Sequence, residues 1–218
     1  MAWFSPDFNR FFIELAANNN KDWFHANRTR YENVVKQPFE RFVGEMITRV
    51  AKVDPKVRIE PKEAIFRINR DVRFSKDKAP YKLNRSALIS AAGRKDMNAP
   101  GIYFELGPEV VRIYGGAYMP DKDALIRIRS RIAKDLTKFR KLREDKDFIK
   151  RFGTVQGEAN KRLPPEFQAA AAKEPLLYNK QLYYGAELPP KLVTSPKLPD
   201  LLMEHYAAMA PMNAFLLR

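Results

Sequence analysis

Cysteine is absent from this chain of 218 residues, and histidine occurs only twice. Without thiols, the chain has no disulfide framework, no thiolate metal site and no cysteine nucleophile. Zinc, copper and iron sites usually draw on several His or Cys ligands, so such a site would have to recruit both His25 and His205 with help from carboxylates. We therefore predict that the protein holds no metal ion and no cofactor.

Long apolar runs are missing as well. No apolar stretch approaches the roughly 20 residues that span a bilayer. The first five residues lack both the basic start and the apolar segment of a secretion signal. We therefore predict a cytoplasmic protein that does not associate with membranes, and we leave its oligomeric state open.

Negative charge is in deficit: 26 Asp and Glu residues stand against 40 Lys and Arg residues, which gives a net charge of +14. A positive field of this kind attracts nucleic acid, phosphorylated metabolites or anionic surfaces. A nucleic-acid role would rest on basic residues such as Arg127, Arg131 and Lys134, with no motif that reads bases behind them. We leave that role open but do not favour it.

The spacing of apolar residues divides the chain into three parts. Residues 1–55 and 121–218 repeat apolar side chains every three or four positions, as amphipathic helices do, whereas residues 56–120 alternate and contain more β-branched and aromatic residues. We predict an α+β fold in which a mainly antiparallel central sheet is flanked by N-terminal helices, one long middle helix and a C-terminal helix. The length favours one domain over residues 1–218.

The predicted strands cover residues 65–73, 86–91, 101–106 and 109–115. Gly107 and Pro108 separate the last two strands closely enough for an antiparallel hairpin. Among the helices, we expect Ser5 to cap the first and Pro38 to start the third. Asp121 should cap the long middle helix, and Pro211 should end or kink the last one.

A dense cluster of charged residues runs from Arg67 to Lys82. On an extended strand, Arg67, Asp71 and Arg73 would point to the same side. The planar, permanently charged guanidinium group matches phosphate or carboxylate in a bidentate fashion. We therefore predict a ligand-binding cluster that consists of Arg67, Arg70, Arg73, Lys76, Lys78 and Lys82.

Two functions and one structural role are compatible with this cluster. The leading hypothesis is a binding or accessory protein for a small anionic molecule that carries a phosphate or a carboxylate. The alternative is an enzyme that acts on a phosphorylated substrate, with Asp71 or Asp77 as general base and the arginines stabilising developing charge. The same opposite charges could instead form a structural ion-pair network, and the cluster alone does not separate these readings.

Two arginines fall on otherwise apolar faces. Arg70 lies on the apolar side of the predicted strand 65–73, and Arg129 lies inside the apolar arc of the predicted middle helix. An unpaired charge in such a place would cost several kcal/mol. We therefore expect both side chains to be buried and ion-paired, with Arg129 pointing toward the sheet.

Two further motifs are weak. Ser75 and Lys78 have the S-x-x-K spacing of serine acylases, but the chain lacks the S-D-N and K-T-G motifs that accompany it. Gly115 and Gly116 follow a predicted strand without any phosphate-binding loop motif, so we expect them to permit a bulge or close backbone packing.

Several of these residues together resemble a known family. The block R-I-N-R-D-V-R-F-S-K-D-K-A-P-Y-K from Arg67 to Lys82 is similar to the conserved-hypothetical family known as domain of unknown function 2461. Supporting similarity is found at Asn19, Asn20, Lys21, Trp23, Phe24 and Tyr31, at Gly101–Leu106, at Gly115, Gly116 and Pro120, and at Ile128, Arg129 and Ile132. The resemblance implies a bacterial-type, single-domain α+β protein and brings no activity, cofactor or partner with it.

Overall fold

The computed structural model describes residues 2–97 and 101–217, which form an antiparallel sheet with helices on one of its faces. The helices of the first third are α1 (Asp7–Ala17), α2 (Lys21–Ala26), α3 (Arg28–Arg30), α4 (Gln37–Val53) and α5 (Pro61–Ala64). Those of the remainder are α6 (Lys122–Lys134), α7 (Leu136–Arg143), α8 (Lys146–Phe152), α9 (Pro165–Ala171) and α10 (Leu198–Leu217). The predicted α+β class is confirmed.

The sheet contains β1 (Arg85–Ser90), β2 (Gly101–Leu106), β3 (Val111–Ala117) and β4 (Leu182–Leu188), which neighbour one another in that order. All three pairings are antiparallel, with Phe104 opposite Ile113 and Ile113 opposite Ala186. Helices α6 to α9 lie between β3 and β4 in the chain. β4 falls in a region that we expected to be helical, so that part of the prediction is wrong.

The predicted strand at residues 65–73 is also wrong. This segment makes only isolated bridges, from Ile65 to Ala87 and from Asn69 to Tyr81. At its end, Asp71 accepts a hydrogen bond from the backbone N–H of Arg73, and just after it Asp77 accepts one from that of Ala79. Such local bonds compete with strand pairing for the backbone, which is why the segment forms a loop.

The helices differ from the prediction at their ends. Ser5 does not cap α1, which begins after Pro6 without a side-chain cap. Pro38 lies in the first turn of α4, and the helix reaches it through a π-helical turn at Tyr31–Lys36 rather than restarting there. The wider turn accommodates a proline, which has no N–H to donate.

The long middle helix was also predicted with the wrong limits, and Pro211 does not end the last helix. The middle helix breaks at Asp135, whose side chain caps α7 by accepting the N–H of Lys138. In contrast, α10 continues through Pro211 to Leu217. One reason is tertiary: the buried side chain of Asn213 bonds to the sheet beyond the proline.

Alternate side chains of the strands build the core. Ile102, Phe104 and Ile113 are fully buried beneath the helices. Phe39 and Phe42 of α4 lie 6.1 and 5.8 Å from the ring of Phe104. We call this side of the sheet the covered face, and the opposite side the open face.

Asn213 joins α10 to three strands on the covered face. Its Oδ1 accepts hydrogen bonds from the N–H of Gly116 at 2.9 Å and from the hydroxyl of Tyr184 at 2.6 Å. Its Nδ2 donates to the carbonyl of Gly101 at 2.9 Å. A Cβ at Gly115 would come within 2.8 Å of Met209, so the close packing expected at the paired glycines is confirmed.

Candidate functional sites on and beside the open face

We call residues 70–80 the charged loop. Most of its charged side chains bond to other groups within the same loop. Arg70 pairs with Asp77, and Arg73 pairs with Asp71 at 2.7 Å. The ammonium of Lys78 donates to the carbonyl of Val72 at 3.0 Å. Three of the predicted ligand-binding cations therefore have partners within the loop.

The two carboxylates of this loop are stabilised in their charged form. A hydrogen bond from the Arg73 side chain lowers the pKa of Asp71. The N–H of Ala79 and then the guanidinium of Arg70 lower the pKa of Asp77. A general base that is held charged by an arginine is a weak proton acceptor, so this geometry gives no support to catalysis by either group.

The two expectations about buried arginines have different outcomes. Arg70 has its carboxylate partner, but its side chain is 29% exposed rather than buried in the core. Arg129 is buried, yet the expected ion pair is wrong: it donates to the carbonyls of Leu177, Tyr178 and Asn179. It therefore reaches a turn before β4 and not a carboxylate, and burial lowers its pKa.

The remaining predicted cations separate. Lys76 is exposed near Phe74, which is itself 96% exposed. Arg67 lines a cleft beside α2, α3 and the π-helical turn Tyr31–Lys36, whereas Lys82 lines a cavity on the open face. The structure thus divides a single stretch of sequence between a loop and two concave surfaces.

The cleft that contains Arg67 has a volume of about 450 Å³ and is mostly basic. We call it the basic cleft, and its titratable side chains other than tyrosine are His25, Arg28, Glu32, Lys36, Arg67 and Arg85. Glu32 is held by Lys36 at 2.8 Å. Arg28, Arg67 and Arg85 make no salt bridge with any described residue, so positive charge is left over in the cleft.

Arg85 is the most unusual of these residues, because its guanidinium is buried and no described carboxylate forms a salt bridge with it. The residue is 5% exposed, its Nη1 donates to the carbonyl of Phe66 at 3.0 Å, and its Cζ lies 5.3 Å from the ring of Phe39. Its buried Nε has no hydrogen-bond partner among the described residues. Burial lowers the pKa of Arg85, and Tyr31 and Glu40 only partly oppose that effect.

Sequence reasoning missed Arg85, although a signal was present. Arg85 alternates with Ala87 and Ile89 along β1, which places it on the covered side of the strand. We applied the same alternation argument to Arg70, on a strand that does not form. The argument was sound for a real strand and was used on the wrong segment.

An unbroken row of five aromatic rings crosses the open face. Phe66 lies 5.8 Å from Tyr103, which lies 6.2 Å from Tyr114. Tyr114 lies 6.3 Å from Tyr183, which lies 5.2 Å from Tyr118. We call these five residues the aromatic row; they line a cavity of about 620 Å³.

Charged groups accompany the aromatic row. Arg112 bridges Glu105 and Glu187, at 2.7 Å from each carboxylate. The hydroxyl of Tyr103 donates to Glu105 at 3.1 Å, and burial raises the pKa of Tyr103. Lys82 stands 5.6 Å from the centre of the Phe66 ring, and burial followed by the nearby Arg85 lowers the pKa of its ammonium.

The part of the chain that the structure describes contains neither a cluster of metal-ligating side chains nor a helix that could cross a membrane. There, no three His, Asp or Glu side chains gather closely enough to hold a metal ion. His205 is buried, its Nδ1 lies 2.8 Å from the carbonyl of Leu201, and burial lowers its pKa. Within the same residues, no helix has the length and apolar character needed to cross a bilayer.

Fold and surface together define a class: an α+β protein whose antiparallel sheet is covered by helices on one face and carries an aromatic cavity on the other. Residues 7–215 match the model of the conserved hypothetical protein family DUF2461. The chain therefore belongs to this family, as its sequence motifs indicated. Comparisons with curated proteins and with solved structures found no match.

Proposed function

We propose that the protein binds a ligand that carries a phosphate or carboxylate group, and that the basic cleft holds this group. The observation that carries the proposal is the buried guanidinium of Arg85, which faces no carboxylate within salt-bridge distance among the described residues. Removing a cation from water without a partner costs several kcal/mol. An anion that reaches Arg85 would offset part of that cost.

The neighbours of Arg85 support the same ligand. Arg67 and Arg28 line the same cleft, and two or three guanidinium groups can bind one phosphate through charge-assisted, bidentate hydrogen bonds. The one carboxylate among the residues lining the cleft, Glu32, already has Lys36 as its partner. The anion would therefore meet unpaired donors and little opposing charge.

The two other functions have less support. For an enzyme, Asp71 and Asp77 are exposed and paired with arginines of the charged loop. For a nucleic-acid module, Arg131 donates to the carbonyl of Leu216 at 2.7 Å near the end of α10, so it serves the fold. Arg127 and Lys134 are exposed, but exposed basic residues on one helix are not a binding site.

The test is calorimetric titration of inorganic phosphate and pyrophosphate into the native protein and two matched variants. Arg67→Gln removes a cation from the basic cleft, while Arg73→Gln removes the same group from the charged loop. We expect Arg67→Gln to weaken binding about tenfold or more and Arg73→Gln to leave it unchanged. Binding should also weaken as sodium chloride rises from about 50 to about 500 mM, because salt screens exposed charges.

Two results would contradict the proposal. One is the absence of binding of either anion to the native protein at low salt. The other is equal weakening by both variants, which would indicate a diffuse attraction to the net charge of +14 rather than a site. Thermal unfolding of each variant checks that both remain folded.

A further inference from the structure

Tyr114, at the centre of the aromatic row, lies over the neighbouring strand. Tyr114 pairs across the strands with Gly185, and a Cβ at Gly185 would lie only 2.2 Å from the Tyr114 ring. The glycine therefore lets the ring of Tyr114 lie flat over the neighbouring strand. Flat aromatic surfaces of this kind stack against other planar rings, with favourable separations of about 4.5–7 Å between ring centres.

The charged groups on the open face differ in whether they have an ion-pair partner. Arg112 is shared by Glu105 and Glu187, and these three groups form one chain of ion pairs across β2, β3 and β4. Lys82, at the Phe66 end of the row, makes no salt bridge with any described residue. Arg67 and Arg85 act on it from nearby with like charge, and Glu105 with opposite charge. An anionic group bound at Lys82 would therefore complete the local pairing.

We propose that the open face is a second binding site, separate from the basic cleft, for a small molecule that combines a planar aromatic ring with an anionic group. The ring stacks on Tyr114 and contacts the edge of the neighbouring Tyr103, and the anion pairs with Lys82. Donor groups on the ring, such as amino or hydroxyl groups, reach the free lone pairs of Glu105. An aromatic carboxylate and a nucleoside monophosphate share this chemistry.

Size and charge favour a small molecule over a polymer. The cavity of about 620 Å³ is within the range of about 300–1,000 Å³ that is usual for small-ligand pockets. A single-stranded nucleic acid needs a positively charged groove along its backbone. On the open face, two carboxylates stand beside Arg112, so the row does not continue as such a groove.

The experiment compares whole ligands with their halves. Adenosine monophosphate and 4-aminobenzoate are titrated calorimetrically into the native protein, beside adenosine, which lacks the anion, and inorganic phosphate, which lacks the ring. We expect at least one of the two ring anions to bind, and either Tyr114→Leu or Lys82→Met to weaken its binding about tenfold or more. Arg73→Gln, in the charged loop, should leave this affinity unchanged, and Arg67→Gln, in the basic cleft, should change it less than either open-face variant because Arg67 acts on Lys82 only from a distance.

Each other outcome has a defined meaning. If Arg67→Gln abolishes binding of the ring anions while Tyr114→Leu does not, the anion lies in the basic cleft and the open-face proposal is wrong, although the proposed function stands. If an oligothymidylate binds far more tightly than the monophosphate, the occupant is a nucleic acid and the proposal is again wrong. If neither ring anion binds, the row serves only to cover the sheet.

A second measurement uses only the native protein, in case the variants do not fold. Selectively isotope-labelled tyrosine rings are followed by NMR during titration with each ring anion. We expect the signals of Tyr103 and Tyr114 to shift, while Tyr184, which is fully buried on the covered face, stays in place. Unchanged Tyr103 and Tyr114 signals at ligand excess would overturn the proposal.

Discussion

Adjacent residues of one strand have different surroundings on the two faces of the sheet. On β2, Phe104 points to the covered face and is fully buried, while Tyr103 points to the open face and keeps a polar hydroxyl at the cavity. The covered face gains its stability from apolar area and a few fixed hydrogen bonds. The open face carries rings and charges that contact mainly each other, which leaves them available to a ligand. The alternation of the strand thus separates the side chains that stabilise the sheet from those that we propose bind a ligand.

The largest expected effect is the difference in stability loss between substitutions at two neighbouring positions, one on each face. Phe104→Ala should lower the free energy of unfolding by about 3–5 kcal/mol, because it leaves a cavity against Phe39 and Phe42. Tyr103→Ala should cost clearly less, about 1–2 kcal/mol, because its side chain is half-buried and water can fill the space. Urea unfolding of both variants measures the difference. Equal losses would show that the open face also belongs to the core.

The second effect tests the polar connection on the covered face. Asn213→Leu should cost about 3 kcal/mol, because a buried polar group that loses a hydrogen-bond partner costs about 1–3 kcal/mol. The affected groups are the N–H of Gly116, the carbonyl of Gly101 and the hydroxyl of Tyr184, which keeps only a longer bond of 3.4 Å to the carbonyl of Met209. Tyr184→Phe is the matched control, since it removes a single hydroxyl and should cost about 1 kcal/mol. Denaturant unfolding in which Asn213→Leu costs no more than Tyr184→Phe would contradict this account.

The sequence predicted the sheet well where apolar alternation was strong. Strand β2 was placed at its exact limits, and β1 and β3 were placed within two residues of theirs. β4 was missed although Leu182, Tyr184 and Ala186 alternate with outward residues, because Gly185 and the surrounding prolines have low strand propensity. Gly185 is present to make room for Tyr114, and that reason exists only in the folded sheet.

The candidate sites were less predictable from the sequence. The charged cluster appeared as one feature because its residues are consecutive, yet Arg67 and Lys82 line different concave surfaces while Arg70 and Arg73 pair within the loop. The path of an irregular loop depends on local side-chain bonds that periodicity does not report. The aromatic row draws its members from three strands and two loops, and only the register of the pairings brings them together.

A smaller effect is expected in the charged loop, which lies outside both faces. From the sequence, Arg70→Met would cost about 3–5 kcal/mol as the loss of a buried pair. The side chain of Arg70 is 29% exposed and that of Asp77 is 65% exposed, so we now expect a loss below about 1 kcal/mol. Thermal or urea unfolding of Arg70→Met and of Asp77→Asn checks this value. A loss of several kcal/mol from either variant would mean that the loop is part of the stable core.

The smallest expected effect is a pH dependence of stability at Lys82. This residue is the one cation of the open face that makes no salt bridge among the described residues. Burial, followed by the nearby Arg85, lowers the pKa of Lys82 below its usual 10.5 in the folded state. Between the folded pKa and 10.5, the unfolded chain binds more protons at this residue, so its contribution to stability rises with pH. Lys82→Met should therefore be stabilising at neutral pH, and its advantage over the native protein should shrink as pH approaches 10.5. Urea midpoints of both proteins, with Lys76→Met as an exposed control, measure this difference. An advantage that stays constant with pH would show that Lys82 is as well solvated when folded as when unfolded, and a bound anion would then offset no burial cost at that residue.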